Sequence, residues 1–288
     1  MEIPAKKIIS TIEKILKKEA KKLRKKKALK LTTFLVGQAG EQLSYVRIKA
    51  KIAKKLGIGF ELVHLKSTPS FEEFMHKIKE KSQDPKTTGI IIQQPLPAQL
   101  STESLYEYIP TVKEIEGHKR KTTYLPPIGL AILTVLKYIY AKPRSGEELI
   151  IDIQKERGPF KKLFRNKRVV LVGRGVTGGR PIGKTLTEAR VNFINVNSQT
   201  PDPHSYYKEA DVIITAVGKK ILFPEMLKPG TTLINIGLRR EKGRLKGDYD
   251  EREVKNIAGF YTSTPGGVGP IDVLYLFKNL IDAAKLHL

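Results

Sequence analysis

The chain of 288 residues contains no cysteine and no tryptophan. Without thiols it can form no disulfide bond, provide no thiolate nucleophile and offer no cysteine ligand to zinc, and we expect a reducing compartment. It also has no apolar run of signal-peptide length at its start and no stretch of about 18 consecutive apolar residues. We therefore expect a soluble, cytoplasmic protein that does not enter a membrane, with a hydrophobic content of 40% that suffices for packed cores.

Acidic residues are scarce beside basic ones. The sequence has 29 Asp plus Glu against 53 Lys plus Arg, a net charge of +24, and residues 1–30 hold 12 basic residues and 3 acidic ones. Such a charge attracts polyanions, whether nucleic acid, phosphorylated cofactors or substrates with several carboxylates. A second interpretation is one amphipathic helix with a solvated basic face. It rests on apolar residues that recur at helical spacing, namely Ile8, Ile12, Ile15, Leu16, Ala20 and Leu23.

Predicted strands and helices alternate along the chain. The composition predicts strands at 29–37, 58–65 and 89–92, and helices at 45–56 and 70–84. Ser70 and Glu73 form a possible capping box at the start of the second of these helices. A later series contains a helix from Pro127, another from Pro181, and strands at 168–173, 191–196, 211–217 and 232–237.

This alternation predicts an α/β protein of two domains. An amino-terminal β/α domain, which would be the catalytic one, covers residues 1–125 and is completed by a carboxyl-terminal helix at 271–288. A Rossmann-like, doubly wound domain covers residues 126–270, with the boundary near Pro126. We expect a cleft between the two domains.

A glycine-rich loop opens the second domain. The run from Gly173 to Pro181 follows a predicted strand and precedes a helix, so its glycines allow a pyrophosphate to approach the backbone. An NAD site usually has Asp or Glu at the end of the next strand, but no acid is found in 195–200. Arg174 and Ser198 can instead bind a 2′-phosphate, which favours NADP over NAD. The loop residues expected to contact the cofactor are Gly173, Arg174, Gly175 and Gly179.

Polar residues also follow the apolar strand of the first domain. Gln93 and Gln94 come directly after 89–92, where one interpretation is an ordinary strand end. Tyr45 and Lys49 lie four residues apart on one predicted helix face, either as a functional pair or as a surface lysine beside a half-buried tyrosine. The loop 262–270 is rich in glycine and proline, which fits a tight turn or the close approach of a flat ligand. No motif predicts a metal site.

Four segments, in order along nearly the whole chain, resemble motifs of the methylenetetrahydrofolate dehydrogenase/methenyltetrahydrofolate cyclohydrolase family. Val36-Gly37 with Ser44-Tyr45-Val46-Arg47-Ile48-Lys49 is similar to its V-G…Y-V-x-x-K segment, and 89–97 is similar to its G-I-x-V-Q-L-P-L-P. The run 173–181 is similar to G-R-S-x-x-V-G-x-P, and 265–270 equals P-G-G-V-G-P.

The resemblance implies oxidation of 5,10-methylenetetrahydrofolate with NADP, then hydrolysis to 10-formyltetrahydrofolate, in the one-carbon metabolism that serves purine biosynthesis. It also implies a homodimer and a folate substrate, in monoglutamate or polyglutamylated form. The basic first domain is expected to attract the glutamate tail of that substrate. Tyr45 would stack on the pterin, Lys49 would transfer protons and Gln93 would hold Lys49. Glu116 would anchor the pterin amino edge, and the residues Pro265, Gly266 and Gly267 would contact substrate.

The chain departs from the family motifs at several positions. Gln94 stands where the family usually has Leu, and we expect it to be solvated or to alter the folate pocket. Glu116 replaces an aspartate, Gly175 replaces a serine and Asp272 stands where a small hydroxyl is usual; His118 is expected on the surface. Two alternatives therefore stay open. One is a dehydrogenase that has lost the hydrolysis activity through Glu116. The other is a basic protein that binds RNA or another polyanion. The sequence lacks basic motifs interleaved with aromatic residues, which counts against the second alternative.

Overall fold

A computed structural model describes residues 1–119 and 121–286, apart from the side chain of Glu41. The chain divides into two compact units. The three-stranded unit comprises Glu13–Pro127 and Val273–Leu288, and the five-stranded unit comprises Met1–Ile12 and Ile128–Asp272. Within the described ranges, no helix combines the length and hydropathy needed to span a bilayer.

Strands and helices alternate in the three-stranded unit. In chain order its elements are α1 (Ala5–Leu23, which contributes to both units), β1 (Lys30–Val36), α2 (Gly40–Leu56), β2 (Gly59–Leu65), α3 (Phe71–Gln83) and β3 (Gly89–Ile92). The strands pair in parallel in the order β2-β1-β3. All four residues of β3 are buried, because the strand packs in the core with Phe34 and Phe74. The carboxyl ends of all three strands therefore meet at one edge of the sheet.

The segment around Glu114 extends this sheet beyond β3. Ile90 and Glu114 form a parallel bridge, and the Ile90 amide donates a hydrogen bond to the Lys113 carbonyl oxygen at 2.8 Å. Because the pairing is parallel, Glu116 follows Glu114 toward the same sheet edge as Gln93.

Fourteen further α-helices and β-strands follow in the described chain. They are α4 (Pro127–Tyr140), α5 (Gly146–Leu149), α6 (Ile153–Phe164), β4 (Val169–Val172), α7 (Gly179–Glu188), β5 (Ile194–Val196), α8 (Pro203–Glu209), β6 (Val212–Thr215), β7 (Thr232–Asn235), β8 (Arg239–Glu241), β9 (Arg244–Lys246), α9 (Glu251–Val254), β10 (Phe260–Tyr261) and α10 (Gly269–Lys285). The main sheet is parallel with the order β10-β7-β6-β4-β5. The strand order reverses between β4 and β6, and open α/β sheets bind ligands beyond the carboxyl ends of strands at such a point.

The predicted two-part α/β architecture with parallel sheets is confirmed, and so is the capping box of α3. Ser70 Oγ accepts the Glu73 amide at 3.1 Å, and the Glu73 carboxylate accepts the Ser70 amide at 3.1 Å. Some bounds were wrong: α2 begins at Gly40 rather than at 45, and β5 begins at Ile194 rather than at 191. The helix predicted at 271–288 runs from Gly269 to Lys285, and residues 287–288 lie outside the described residues.

Helix α6 was not predicted, because it contains Pro159 directly after Gly158. Proline removes an amide donor and glycine is a poor helix former, so both residues argue against a helix. The helix is held by tertiary packing instead: Phe160 and Phe164 are buried one turn apart, with ring centroids 5.9 Å apart. The antiparallel pair β8-β9 was also missed.

An ion cluster fixes the amino-terminal edge of the three-stranded sheet. Lys30 Nζ lies 2.8 Å from Asp84 Oδ2 and 2.9 Å from Glu61 Oε2. Asp84 also accepts the Lys86 amide at 2.8 Å. The hydrogen bond from Lys30, together with that amide, lowers the pKa of the Asp84 carboxyl to about 2. The cluster ties the start of β1 to the end of α3.

We predict that Asp84→Asn removes part of the acid sensitivity of folding. A carboxyl whose pKa is lowered on folding contributes stability above its unfolded pKa, about 3.9, and loses it as pH falls through the folded value of about 2. Between pH 4 and pH 2 the wild type should therefore lose on the order of 1 kcal/mol more unfolding free energy than the variant, a modest value because the carboxyl is partly exposed. Urea unfolding followed by circular dichroism measures both slopes. Parallel slopes would contradict the assignment.

Candidate active site

A buried lysine–glutamine pair lies at the carboxyl edge of the three-stranded sheet. Lys49 Nζ donates a hydrogen bond to Gln93 Oε1 at 3.0 Å, and the two residues are 9% and 8% exposed. Lys49 comes from α2 and Gln93 from the residue after β3, so helix and strand each supply one member. Tyr45, one turn earlier on α2, is 39% exposed. Lys49 is therefore not a surface lysine, and the aromatic ring beside it is open to a ligand.

Gln93 continues the strand by one residue before the chain turns. Its amide donates to the Phe34 carbonyl oxygen at 2.9 Å, and its side-chain Nε2 donates to the Gln94 carbonyl oxygen at 2.8 Å. Gln42 Nε2 donates to the Pro95 carbonyl oxygen and holds the following loop. Both ends of the Gln93 side chain are therefore fixed, which orients the Oε1 that meets Lys49.

Gln94 is half-buried and bonded, so the expectation that it is solvated was wrong. Its Nε2 donates to the Tyr106 hydroxyl at 2.9 Å, and its Oε1 accepts the Leu96 amide at 3.2 Å. Tyr106 is 7% exposed. The sequence did not point to this tyrosine, because it lies in a segment of 3₁₀ turns with no motif of its own.

The turn that carries Glu116 is fixed by the buried Glu114. The Glu114 carboxylate accepts the Glu116 amide at 2.9 Å and the Lys119 amide at 3.4 Å. Burial raises the pKa of Glu114, which is 1% exposed. Gly117 has a φ of +75°, and a Cβ there would lie 2.7 Å from the Tyr124 carbonyl oxygen, so only glycine fits the turn. These constraints direct the backbone of Glu116.

Among the described residues, the Glu116 carboxylate has an acceptor without a donor. Its Oε2 is buried, and no described residue gives it a hydrogen bond. His118 Nε2 lies 3.9 Å from this oxygen, beyond hydrogen-bond distance. The expected surface position of His118 was wrong: its side chain is 24% exposed and its ring stacks on Tyr106. A ligand with N–H donors would satisfy the oxygen.

The glycine-rich loop in the five-stranded unit is shaped by close backbone approach. Gly173 has a φ of +111°, and a Cβ there would lie 2.7 Å from the Ala216 carbonyl oxygen. A Cβ at Gly179 would overlap the Gly173 carbonyl oxygen, so the start of α7 packs directly on the loop. A glycine-rich turn that leads into a helix start favours a phosphate group, and these residues therefore fit a dinucleotide. Gly175 has no such steric demand.

Arg174 and Ser198 follow paired strands and lie at one sheet edge. Val172 of β4 is in register with Val196 of β5, and each functional candidate comes two residues later. Both residues are exposed. Asn195 Nδ2 of β5 donates to the Gly173 carbonyl oxygen at 2.9 Å and so links this strand to the glycine-rich loop. Arginine and serine donors beside a glycine-rich loop fit an additional phosphate.

The loop containing Pro265, Gly266 and Gly267 is also in the five-stranded unit, held by residues that the sequence did not indicate. Asn235, at the end of β7, donates through Nδ2 to Thr264 Oγ1 at 2.8 Å. The same residue accepts the Asp248 amide at 2.8 Å. A polar residue at a strand end was available as a signal for Asn235, as it was for Gln93.

Family matches cover both parts of the chain. Residues 3–116 match the catalytic domain, and residues 154–288 the NAD(P)-binding domain, of tetrahydrofolate dehydrogenase/cyclohydrolase. The chain belongs to the tetrahydrofolate dehydrogenase/cyclohydrolase family. The resemblance identified in the sequence is thereby confirmed, and an enzyme is favoured over a polyanion-binding protein.

Individual members of the family agree with this assignment. The bifunctional protein FolD of Staphylococcus aureus is 34% identical over 269 residues, covering 90% of this chain and 87% of the relative. A crystal structure of the FolD methylenetetrahydrofolate dehydrogenase/cyclohydrolase from Campylobacter jejuni has a TM-score of 0.87 and 27% identity, covering 100% and 99% of the two chains. The Trypanosoma brucei enzyme, solved with NADP and an inhibitor, shares the fold with a TM-score of 0.85 at 23% identity, covering 100% and 98%.

We predict that two alanine substitutions in the glycine-rich loop differ in their effect on the free energy of unfolding. Gly179→Ala should lower the unfolding free energy by roughly 1–3 kcal/mol, because the added methyl group meets backbone atoms that cannot rotate away. Gly175→Ala is the matched control, since its Cβ meets nothing within 4 Å, and it should stay within about 0.5 kcal/mol of the wild type. Urea unfolding measures both values. Equal losses would contradict the packing described for the loop.

Proposed function

We propose that this protein oxidises 5,10-methylenetetrahydrofolate to 5,10-methenyltetrahydrofolate with NADP and then hydrolyses the product to 10-formyltetrahydrofolate. The observation that carries the proposal is the buried hydrogen bond of 3.0 Å between Lys49 Nζ and Gln93 Oε1 in a chain of this family. Hydride transfer moves no proton through a side chain, whereas hydrolysis does. A buried, oriented amine therefore supports a bifunctional enzyme over one that only transfers hydride.

Lys49 is the proposed proton carrier. Water adds to the cationic methenyl carbon and must lose a proton, which the neutral amine accepts. When the carbon–N5 bond of the adduct then breaks, N5 gains a proton and the hydroxyl loses one, so the whole reaction releases one proton. Gln93 keeps Nζ in one position through its Oε1, and its own Nε2 is held by the Gln94 carbonyl oxygen.

Tyr45 and Glu116 are the proposed folate-binding residues. The Tyr45 ring is exposed one helical turn from Lys49, so it can stack on the pterin while the amine reaches the one-carbon bridge. The Glu116 Oε2 has no hydrogen bond from a described residue and can accept N–H groups of the pterin edge. The glutamate has the charge and the two oxygens of the usual aspartate on a side chain that is one methylene longer.

The glycine-rich loop of Gly173, Gly175 and Gly179 would hold the NADP pyrophosphate, and Arg174 and Ser198 its 2′-phosphate. The Gly173 amide donates to the Val196 carbonyl oxygen at 2.8 Å, so this glycine would contribute close backbone approach rather than a donor. NADP when bound supplies the hydride acceptor. The loop of Pro265, Gly266 and Gly267 would contact the substrate, because its residues have little side chain to obstruct a flat ring.

The proposal extends to organisation and setting. We assign folate binding to residues 1–125 with 271–288 and NADP binding to residues 126–270. The family resemblance supports a cytoplasmic homodimer that serves purine biosynthesis. The exposed lysines of α1 support a polyglutamylated folate, because its several carboxylates are attracted to a basic surface.

We predict that Lys49→Met separates the two activities. The variant keeps much of the side-chain volume and removes the amine, so methenyltetrahydrofolate hydrolysis should fall by roughly 100- to 10,000-fold. NADP reduction should fall less, and Gln93→Met should slow hydrolysis through the same lysine. Lys51→Met, on an exposed position of α2, is the control. Decay of methenyltetrahydrofolate, corrected for the uncatalysed rate, is the measurement; unchanged decay in Lys49→Met would refute the role of the lysine.

We predict that Arg174→Ala weakens NADP more than NAD. The guanidinium is expected to bind the 2′-phosphate, which NAD lacks, so the Michaelis constant should rise roughly 10-fold for NADP and little for NAD. Arg165→Ala removes another exposed arginine of the same unit and should change neither constant. Initial rates with both cofactors test this, and equal losses for NADP and NAD would show that Arg174 does not select the phosphate.

A further inference from the structure

A chain of polar contacts leads from Lys49 along the sheet edge. Lys49 donates to the Gln93 side chain at 3.0 Å, and Gln93 donates to the Gln94 carbonyl oxygen at 2.8 Å. The Gln94 side chain then donates to the Tyr106 hydroxyl at 2.9 Å. Consecutive glutamines thus connect the buried amine to a buried phenol.

The chain continues from Tyr106 to Glu116 through His118. The rings of Tyr106 and His118 stack with centroids 4.6 Å apart and an angle of 28° between their planes. His118 Nε2 then lies 3.9 Å from Glu116 Oε2. Burial raises the pKa of Tyr106, and the negative charge of Glu116 adds to this effect. The carboxylate, the imidazole and the phenol therefore form one cluster.

The neighbours of Glu116 bear on how its carboxylate is oriented. Glu114 fixes the backbone of residue 116, but a glutamate side chain has one more rotatable bond than an aspartate. The His118 imidazole lies 3.9 Å from the carboxylate without using its acceptor sites in a hydrogen bond. The buried Oε2 receives no hydrogen bond from a described residue, so it retains an acceptor for N–H donors.

We propose that Gln94, Tyr106 and His118 are positioning residues that orient the Glu116 carboxylate, relative to Lys49, for the pterin edge of the folate. This inference rests on the proposed function of Glu116. It accounts for two departures from the family motifs together: Glu116, with its extra methylene, and Gln94, which replaces leucine, lie at the two ends of one set of contacts.

The test begins with His118→Phe, which keeps an aromatic ring on Tyr106 and removes the imidazole nitrogens. The Michaelis constant for methylenetetrahydrofolate should rise roughly 10-fold, the size expected when an interaction with a charged group is lost. The turnover number and the Michaelis constant for NADP should stay within about twofold, because Lys49 and the cofactor loop are untouched. A fall in turnover with no change in the folate constant would overturn the proposal.

A double-mutant cycle asks whether His118 acts through Glu116. Titration calorimetry with tetrahydrofolate, kept anaerobic, gives dissociation constants for the wild type, His118→Phe, Glu116→Gln and the double variant. If His118 acts through the carboxylate, adding His118→Phe to Glu116→Gln should change binding by less than about twofold. Independent, multiplying effects would refute the proposal.

Two further variants remove ambiguity. Gln94→Leu deletes the hydrogen bond to Tyr106 from a half-buried position, so it should raise the folate constant in the same direction even if His118→Phe fails to fold. His204→Phe is the matched control, since His204 also lies beside a tyrosine ring, Tyr207, with centroids 6.3 Å apart. It should leave tetrahydrofolate binding unchanged. Failure of the wild type to bind tetrahydrofolate would refute the proposed function itself, whereas equal binding by wild type, His118→Phe and Gln94→Leu would refute only this inference.

Discussion

A lysine amine is costly to remove from water unless a polar group meets it, and here that group comes from the residue after a buried strand. Lys49 can be buried because Gln93 Oε1 accepts its hydrogen bond, and Gln93 is fixed because β3 pairs with β1 up to the Phe34 carbonyl. The position of the buried amine therefore depends on the register of the sheet. A helix alone would leave this side chain free to extend into solvent.

The same rule organises both units: polar residues that end or follow parallel strands gather at one sheet edge. Gln93 follows β3, Asn235 ends β7, and Arg174 and Ser198 follow the paired strands β4 and β5. The buried strands β3 and β4 are apolar along their length, so the first polar side chain after each comes where pairing stops. Loops such as the one at Gly173 allow a ligand to approach the backbone closely, while the paired strands fix the positions of the side chains that follow them.

This rule explains which features the sequence could predict. Strand ends and glycine runs are local signals, so Gln93, the loop from Gly173 and the capping box of α3 could be recognised. Contacts between distant segments leave no such signal. Gln94 meets Tyr106, 12 positions along the chain, and Glu116 has His118 nearby, two positions along. The two contacts join only through the Tyr106 ring, and no periodic pattern in the sequence points to that residue. Helix α6 was missed for the opposite reason, because packing of Phe160 overrides a local sequence that disfavours a helix.

The basic first helix fits the same protein without being part of its chemistry. Both acidic residues of α1 are already paired with lysines of other segments, Glu13 with Lys55 and Glu19 with Lys285. Its many exposed lysines leave the solvent face of α1 strongly basic while its apolar face is buried. Exposed charges act over about one Debye length, roughly 8 Å at physiological salt. Attraction of that range raises the rate at which an anionic ligand meets such a surface.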